Sequence, residues 1–249
     1  MQNLENWQDE FEMCIYAKRL LDKVIYLNSI VKVPKVDVLV VKKAIYYARK
    51  YHGSQMRQSG EPFYSHPLEV SYLVSDYLFR TDILVTAILH DTIEDTELTQ
   101  EEIAAAFGWQ VANQVMDLTR IKGAGVKISS AETVELLYRE KKYDVLLIKL
   151  FDRLHNIQTI GAKPPEKIRK IIDETLKRFI TLSIFFEDRT HGVLKISNKI
   201  VALCHYYSPI TKHMLQNQTI IFKDNYQLPF PTAQNAIIHN YIRNILVSK

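Results

Sequence analysis

Apolar residues in VDVLVVKKAIYYARKYH (36–52) return every three or four positions. Val38, Val41, Ala44, Ile45 and Ala48 share one face at the helical period, and Asp37 stands where an N-cap carboxylate accepts backbone N–H groups. This period persists from near the start of the chain to about residue 190. Pro67 fits the first turn of a second helix, where its missing N–H costs nothing, with Val70, Leu73, Val74 and Tyr77 along it. A further helix is predicted over 81–95, because TDILVTAILH reads like the buried side of a helix and runs into His90, Asp91, Glu94 and Asp95. Thr99 and Glu102 have capping-box spacing and open a short helix that Phe107-Gly108 closes. Helices are expected at 131–142 and 144–160. After Pro164-Pro165, the positions Ile168, Ile171, Ile172, Thr175, Leu176, Phe179, Leu182 and Phe186 outline one long amphipathic helix.

Elsewhere the pattern weakens. IKGAGVKISS (121–130) reads as a mobile loop because of its glycines and serines. Residues 217–232 mix β-branched and aromatic residues with prolines and read as a short strand or extended arm, with a closing helix at 232–247. The expectation is an all-α helical bundle over 1–190, followed by a less regular C-terminal extension at 191–249. Only 7 Gly and 8 Pro among 249 residues support it, since β-rich chains need more turn residues.

Composition narrows the functional classes. Hydrophobic and charged fractions of 47% and 24% are ordinary for a globular protein, and a net charge of +4 is too slight to predict a nucleic-acid groove. Cys14 and Cys204 lack metal-site or redox spacing and read as free thiols of a reducing compartment. The polar, acidic start is unlike a signal peptide, and apolar runs such as DVLLIKLF (144–151) are broken by charge and too short to span a bilayer. A cytoplasmic protein is expected, with no nucleic-acid or membrane partner; a homo-oligomer is left open.

The chemistry concentrates in LHDTIEDT (89–96). Such a cluster costs stability unless a cation sits in it. On one continuous helix Glu94 would follow His90 by four residues and Asp95 would follow Asp91 by four, on neighbouring stripes. Asp152, Asn156 and Thr159 share a second helix face, while His66 precedes Pro67, which would hold its backbone out of the α region. If these meet, His66, His90, Asp91 and Asp152 offer two imidazoles and two carboxylates, a set suited to Mn²⁺, Zn²⁺ or Fe²⁺ rather than Ca²⁺. Glu94 and Asp95 beside it suit acid–base work on a water whose pKa the metal lowers. Arg57 adds a positive fork matched to phosphate.

Three motifs in order, RQSGEPFYSHP, ILHDTIEDT and IKLFDRLHNIQTI, resemble the hydrolase domain of the bacterial RelA/SpoT stringent-response enzymes and their small stand-alone relatives, a branch of the HD-domain phosphohydrolases; the likeness covers residues 40–190. The resemblance implies an all-helical, Mn²⁺-dependent enzyme that removes the 3′-pyrophosphate of (p)ppGpp, yielding GDP or GTP and pyrophosphate. It assigns His66, His90, Asp91 and Asp152 to the metal and Glu94 and Asp95 to catalysis. Arg57, Gln58, Ser59, Arg153, Asn156 and Thr159 are assigned to the substrate, with Leu154 shaping the pocket. Gln58 stands where the bifunctional enzymes commonly carry lysine. That departure keeps another phosphorylated nucleotide, such as NADPH, open as substrate; a non-catalytic alarmone-binding protein is the reading from a different class. Residues 191–249 are too few for the family's nucleotidyltransferase domain, so no synthetase activity is expected. His155 is read as a packed or hydrogen-bonded histidine and His52 as a neighbour of the pocket without chemistry. Tyr46, Tyr47 and Trp109 are read as packing residues, and Lys141-Lys142 as solvated.

Overall fold

The structure, a computed structural model, describes residues 6–32, 34–122, 126–189 and 195–207; the expected arm at 217–232 and helix at 232–247 lie outside these. Two compact units are present, the first ending at His155 and the second beginning at Asn156. The first contains α1 Ile15–Ile30, α2 Val38–His52, α3 Ser65–Val74, α4 Thr81–Leu89 and the single turn α5 Thr92–Asp95. Then come α6 Gln100–Phe107, α7 Trp109–Leu118 and α8 Ser130–Arg139, while α9 Tyr143–Gln158 runs across the boundary. The all-α class is the one expected.

Helix α4 organises the first unit. Every residue from Ile83 to Leu89 is buried, and a helix apolar on all sides must be covered on all sides. Helices α2, α3 and α7 pack around it, with α1 against α2 and α3 and α6 against α7. Asp37 caps α2 as expected, accepting from the amides of Leu39 and Val40 at 2.9 and 3.1 Å. Thr99 and Glu102 form the capping box of α6, and Gly108 ends that helix at φ 87°, a conformation glycine adopts without strain. Tyr46 and Tyr47 are core residues, but Trp109 is 60% exposed. It opens α7, whose buried stripe is Val111, Ala112, Val115 and Leu118, and so sits well round the helix from the covered face.

Local polar groups redraw several boundaries. The helix expected over 81–95 breaks between α4 and α5 because side chains take its last carbonyls. His90 Nδ1 donates to the Ala87 carbonyl at 2.8 Å, and Thr92 Oγ1 to that of Leu89 at 2.7 Å. His66 lies inside the first turn of α3 rather than outside the helical region. The amides of Ser65 and His66 bond to the carbonyls of Pro62 and Phe63 at 3.0 and 3.1 Å, which overrides the bias of the residue before proline. That helix ends at Val74, so Tyr77 lies beyond it and stacks on Phe151 at 5.2 Å.

Where a loop was expected at 121–130, Ile121–Lys122 (β1) pairs antiparallel with Val126–Lys127 (β2), and Ser129 caps α8 through a second capping box with Glu132. β-Branched residues either side of Gly123 and Gly125 give this stretch hairpin character. After α8, the amides of Lys141 and Lys142 bond to the carbonyls of Tyr138 and Leu137 at 3.1 and 2.9 Å, a Schellman closure with Lys141 at φ 57°. Lys142 is more than a solvated lysine, since it pairs with Asp117 at 2.8 Å and Glu140 at 2.7 Å.

In the second unit, a 3₁₀ turn at Ile160–Ala162 precedes α10 Pro165–Glu174, α11 Ile180–Arg189 and α12 Ile196–Tyr206. The long helix expected after Pro165 is interrupted by a π turn at Thr175–Phe179. Thr175 Oγ1 takes the Ile171 carbonyl at 2.6 Å, competing with the regular backbone ladder there. Glu187 accepts the amide and hydroxyl of Ser197 at 2.8 Å each, tying α11 to the start of α12. Cys14, which caps α1, and Cys204 are both free thiols. Among the described residues, no helix is long and apolar enough to cross a membrane.

Candidate metal centre

Three elements of the first unit converge. The first turn of α3 presents His66, the break between α4 and α5 presents His90 and Asp91, and α9 presents Asp152. One donor atom each from His66, His90 and Asp152 lies within 4.8 Å of the others. His66 Nε2 is 3.2 Å from Asp152 Oδ1 and 3.6 Å from Asp91 Oδ2. His90 Nε2 is 3.2 Å from Asp91 Oδ1 and 3.9 Å from Asp152 Oδ1. Ligands bound at roughly 2.0–2.2 Å would stand about 3.0–3.5 Å from one another, so these spacings suit donors facing one cation.

The hydrogen-bonding state of His90 points the same way. A carbonyl only accepts, so the bond to Ala87 puts the proton on Nδ1 and leaves a lone pair on Nε2. That Nε2 is buried and has no hydrogen-bond partner. A buried acceptor facing two carboxylates without a proton to share suits a cation. His66 is fully buried, and burial pushes its pKa below the ordinary value despite the neighbouring carboxylates, which keeps the ring neutral as ligation requires. Burial alone would raise the pKa of Asp152. The charge of Lys149 outweighs it and holds the carboxyl well below the usual range. Lys149 Nζ donates to Asp152 Oδ2 at 2.8 Å, leaving Oδ1 toward the histidines.

The two acids beyond the cluster have opposite environments. The Glu94 side chain is 7% exposed and receives Arg120 Nη2 at 2.5 Å, Arg120 Nε at 3.1 Å and Lys127 Nζ at 2.9 Å. Burial pushes its pKa up, but these two cations prevail and hold it at about 2. Asp95 is exposed at the rim of α5. Partial desolvation and the charges of Asp91 and Glu94 push its pKa up to about 6. Gln55 fixes the Asp95 backbone by donating to its carbonyl at 2.9 Å, and in turn meets His52 Nδ1 at 2.9 Å. His52 therefore supports the site from behind, as a buried ring against Phe63.

Arg57 and Gln58 sit on a short hairpin. Met56 bridges Pro62, the Arg57 amide bonds to the Glu61 carbonyl at 2.8 Å, and Gly60 takes φ 95°, the left-handed position of a three-residue hairpin loop. Gln58 and Ser59 are exposed at its tip, with Ser59 bonded to Glu61. Burial lowers the pKa of Arg57, while Asp91, Glu61 and Asp152 are near enough to oppose that. On α9, Arg153 and Leu154 are buried. Asn156, four residues beyond Asp152, and Thr159 belong to the second unit.

Sequence reasoning passed over Arg120, Lys127, Lys149 and Gln55. Lys149 was legible, three residues before Asp152 and hence on its helix face; Arg120 had no local signal, being 26 positions from Glu94. His155 is hydrogen-bonded, as expected, its Nδ1 lying 2.7 Å from His66 Nδ1. Burial, with the Arg57 charge close by, pushes its pKa down to about 3.

Residues 44–183 match the HD domain. The chain belongs to the HD-domain family. It is 39% identical over 155 residues to the GTP pyrophosphokinase rsh of Brucella ovis, covering 60% of this chain and 21% of that protein. It is 35% identical over 162 residues to the guanosine-3′,5′-bis(diphosphate) 3′-pyrophosphohydrolase of Aquifex aeolicus, covering 64% of this chain and 23% of that one. The chain thus spans about a fifth of the length of the curated relatives it matches. A solved structure described as a metazoan ortholog of SpoT that hydrolyses ppGpp aligns with TM-score 0.53 and 21% identity over 71% of this chain and 98% of that one, a likeness of fold. The RelA/SpoT-type resemblance of the three motifs therefore stands. HD-domain membership implies a divalent cation, and the orphaned Nε2 of His90 among Asp91, Asp152 and His66 fits one.

Proposed function

We propose that this chain is a metal-dependent (p)ppGpp 3′-pyrophosphohydrolase, holding Mn²⁺ through His66, His90, Asp91 and Asp152 and acting in the cytoplasm. The observation that carries the reading is the buried, unpartnered His90 Nε2 among those ligands, a few residues from two acids with opposite pKa shifts. The substrate is taken from the Aquifex 3′-pyrophosphohydrolase and the ppGpp-hydrolysing metazoan SpoT ortholog that this chain resembles. A divalent cation there supplies Lewis-acid charge, acidifying a water and drawing charge from a phosphoryl group.

The chain's own residues divide the remaining work. Asp95, with its pKa near the operating range, takes the proton of the attacking water. Glu94 stays ionised, and its charge helps to hold Asp95 in that range. Arg57 offers its fork to the pyrophosphate, while Gln58, Ser59, Arg153, Asn156 and Thr159 complete the contacts to the nucleotide.

The test is purified protein with Mn²⁺ and ppGpp, followed by pyrophosphate release. Turnover that disappears with chelator and returns with Mn²⁺ is expected, and no release with Mn²⁺ present would sink the reading. Gln58 favours a second reading, in which a neutral residue where lysine is common shifts selection to a less charged substrate such as NADPH. Assaying both nucleotides side by side separates them.

A further inference from the structure

Tight metal sites hold the far side of each ligating imidazole, because a metal-bound histidine must keep its other nitrogen protonated and oriented. For His90 that partner is the Ala87 carbonyl. For His66 it is another imidazole. His66 Nε2 faces Asp152 and Asp91 at 3.2 and 3.6 Å, and His66 Nδ1 lies 2.7 Å from His155 Nδ1. Two neutral rings at that distance share one proton, so one donates and the other accepts. When His66 gives its Nε2 lone pair to a cation, its own proton is on Nδ1. His155 must then accept at Nδ1 and carry its own proton on Nε2.

We propose that His155 is a positioning residue that locks His66 in its metal-binding tautomer and ring orientation. The inference rests on the metal reading above and deepens it. His155 lies three residues after Asp152, so α9 supplies one ligand and, one turn on, orients another. The acceptor is unusual in kind. A carboxylate in that place would add negative charge and strengthen the hold of His66 on a cation, whereas a neutral imidazole orients it without that charge.

The test uses the full chain with the ring replaced by one of similar volume without an acceptor, His155→Phe, and by one that restores an acceptor near Nδ1, His155→Asn. Mn²⁺ affinity is read from the electron paramagnetic resonance signal of free Mn²⁺ during titration. Loss of the acceptor should weaken binding by roughly 10- to 100-fold, and His155→Asn should recover most of that. A second readout needs no variant. In ¹⁵N-histidine-labelled wild type loaded with Zn²⁺, long-range ¹H–¹⁵N correlation spectra should show His66 protonated at Nδ1 and His155 protonated at Nε2. Wild-type affinity in His155→Phe, or a proton on His155 Nδ1, overturns the inference while leaving the metal centre intact. Failure of the wild type itself to bind Mn²⁺ overturns both. Should His155→Phe not fold, the wild-type spectra still decide.

Discussion

Replacing Glu94 with glutamine keeps its shape and removes its charge, which isolates what the Arg120–Lys127 clamp contributes. Holding the carboxyl at about 2 instead of the ordinary 4.5 corresponds to about 3 kcal/mol of stability at neutral pH, at about 1.4 kcal/mol per pKa unit. Arg120 and Lys127 are 38% and 60% exposed, and solvent screening on their side reduces this to about 1–2 kcal/mol. The sign follows from the depressed pKa. The contribution is complete above pH 4.5 and disappears as pH falls from there toward 2. Urea denaturation followed by the helical circular-dichroism signal should find E94Q less stable than wild type by about 1–2 kcal/mol at pH 7, with the gap closing in acid. A gap that is the same at pH 7 and pH 3 would refute the electrostatic account, because loss of packing does not titrate. Mn²⁺ affinity should be unchanged.

D95N should lower kcat by about 10²-fold or more with Mn²⁺ affinity intact, and the acid limb of wild-type kcat/KM, which rises through about pH 6 or somewhat below once a cation offsets Asp91, should be absent from the variant's profile. H90A should purify without metal and without turnover, as measured by elemental analysis and pyrophosphate release; full metal content would contradict the ligand assignment. K141G should raise stability by about 1 kcal/mol in denaturation, because Lys141 holds the left-handed position of the Schellman closure at φ 57°, and an unchanged midpoint would argue that no strain is stored there.

What was legible in the chain was whatever depended on near neighbours. Apolar spacing located most helices, and Asp37, Thr99 with Glu102, and Gly108 marked their ends to within a residue. The four candidate ligands could be named because three motifs resembled a known family; periodicity alone would not have joined His66 to a residue 86 positions away. The two missed helix breaks came from competition for backbone carbonyls. His90, Thr92 and Thr175 each donate a side-chain bond into a helix, and a hydropathy pattern does not register that. The contrast between Glu94 and Asp95, adjacent residues alike in chemistry, was equally hidden, since it is made by Arg120 and Lys127 from distant positions.

His90 has two employments: Nε2 faces the carboxylates, and Nδ1 seals the end of the buried helix α4. A descendant that lost its metal would still need that seal, so a histidine here would survive the loss of catalysis. His66 and Asp152, which bond to each other and to the side chains of His155 and Lys149, have less reason to outlast it. A chain retaining His90 and Asp91 but lacking the other two is therefore better taken for a retired enzyme than for a working one.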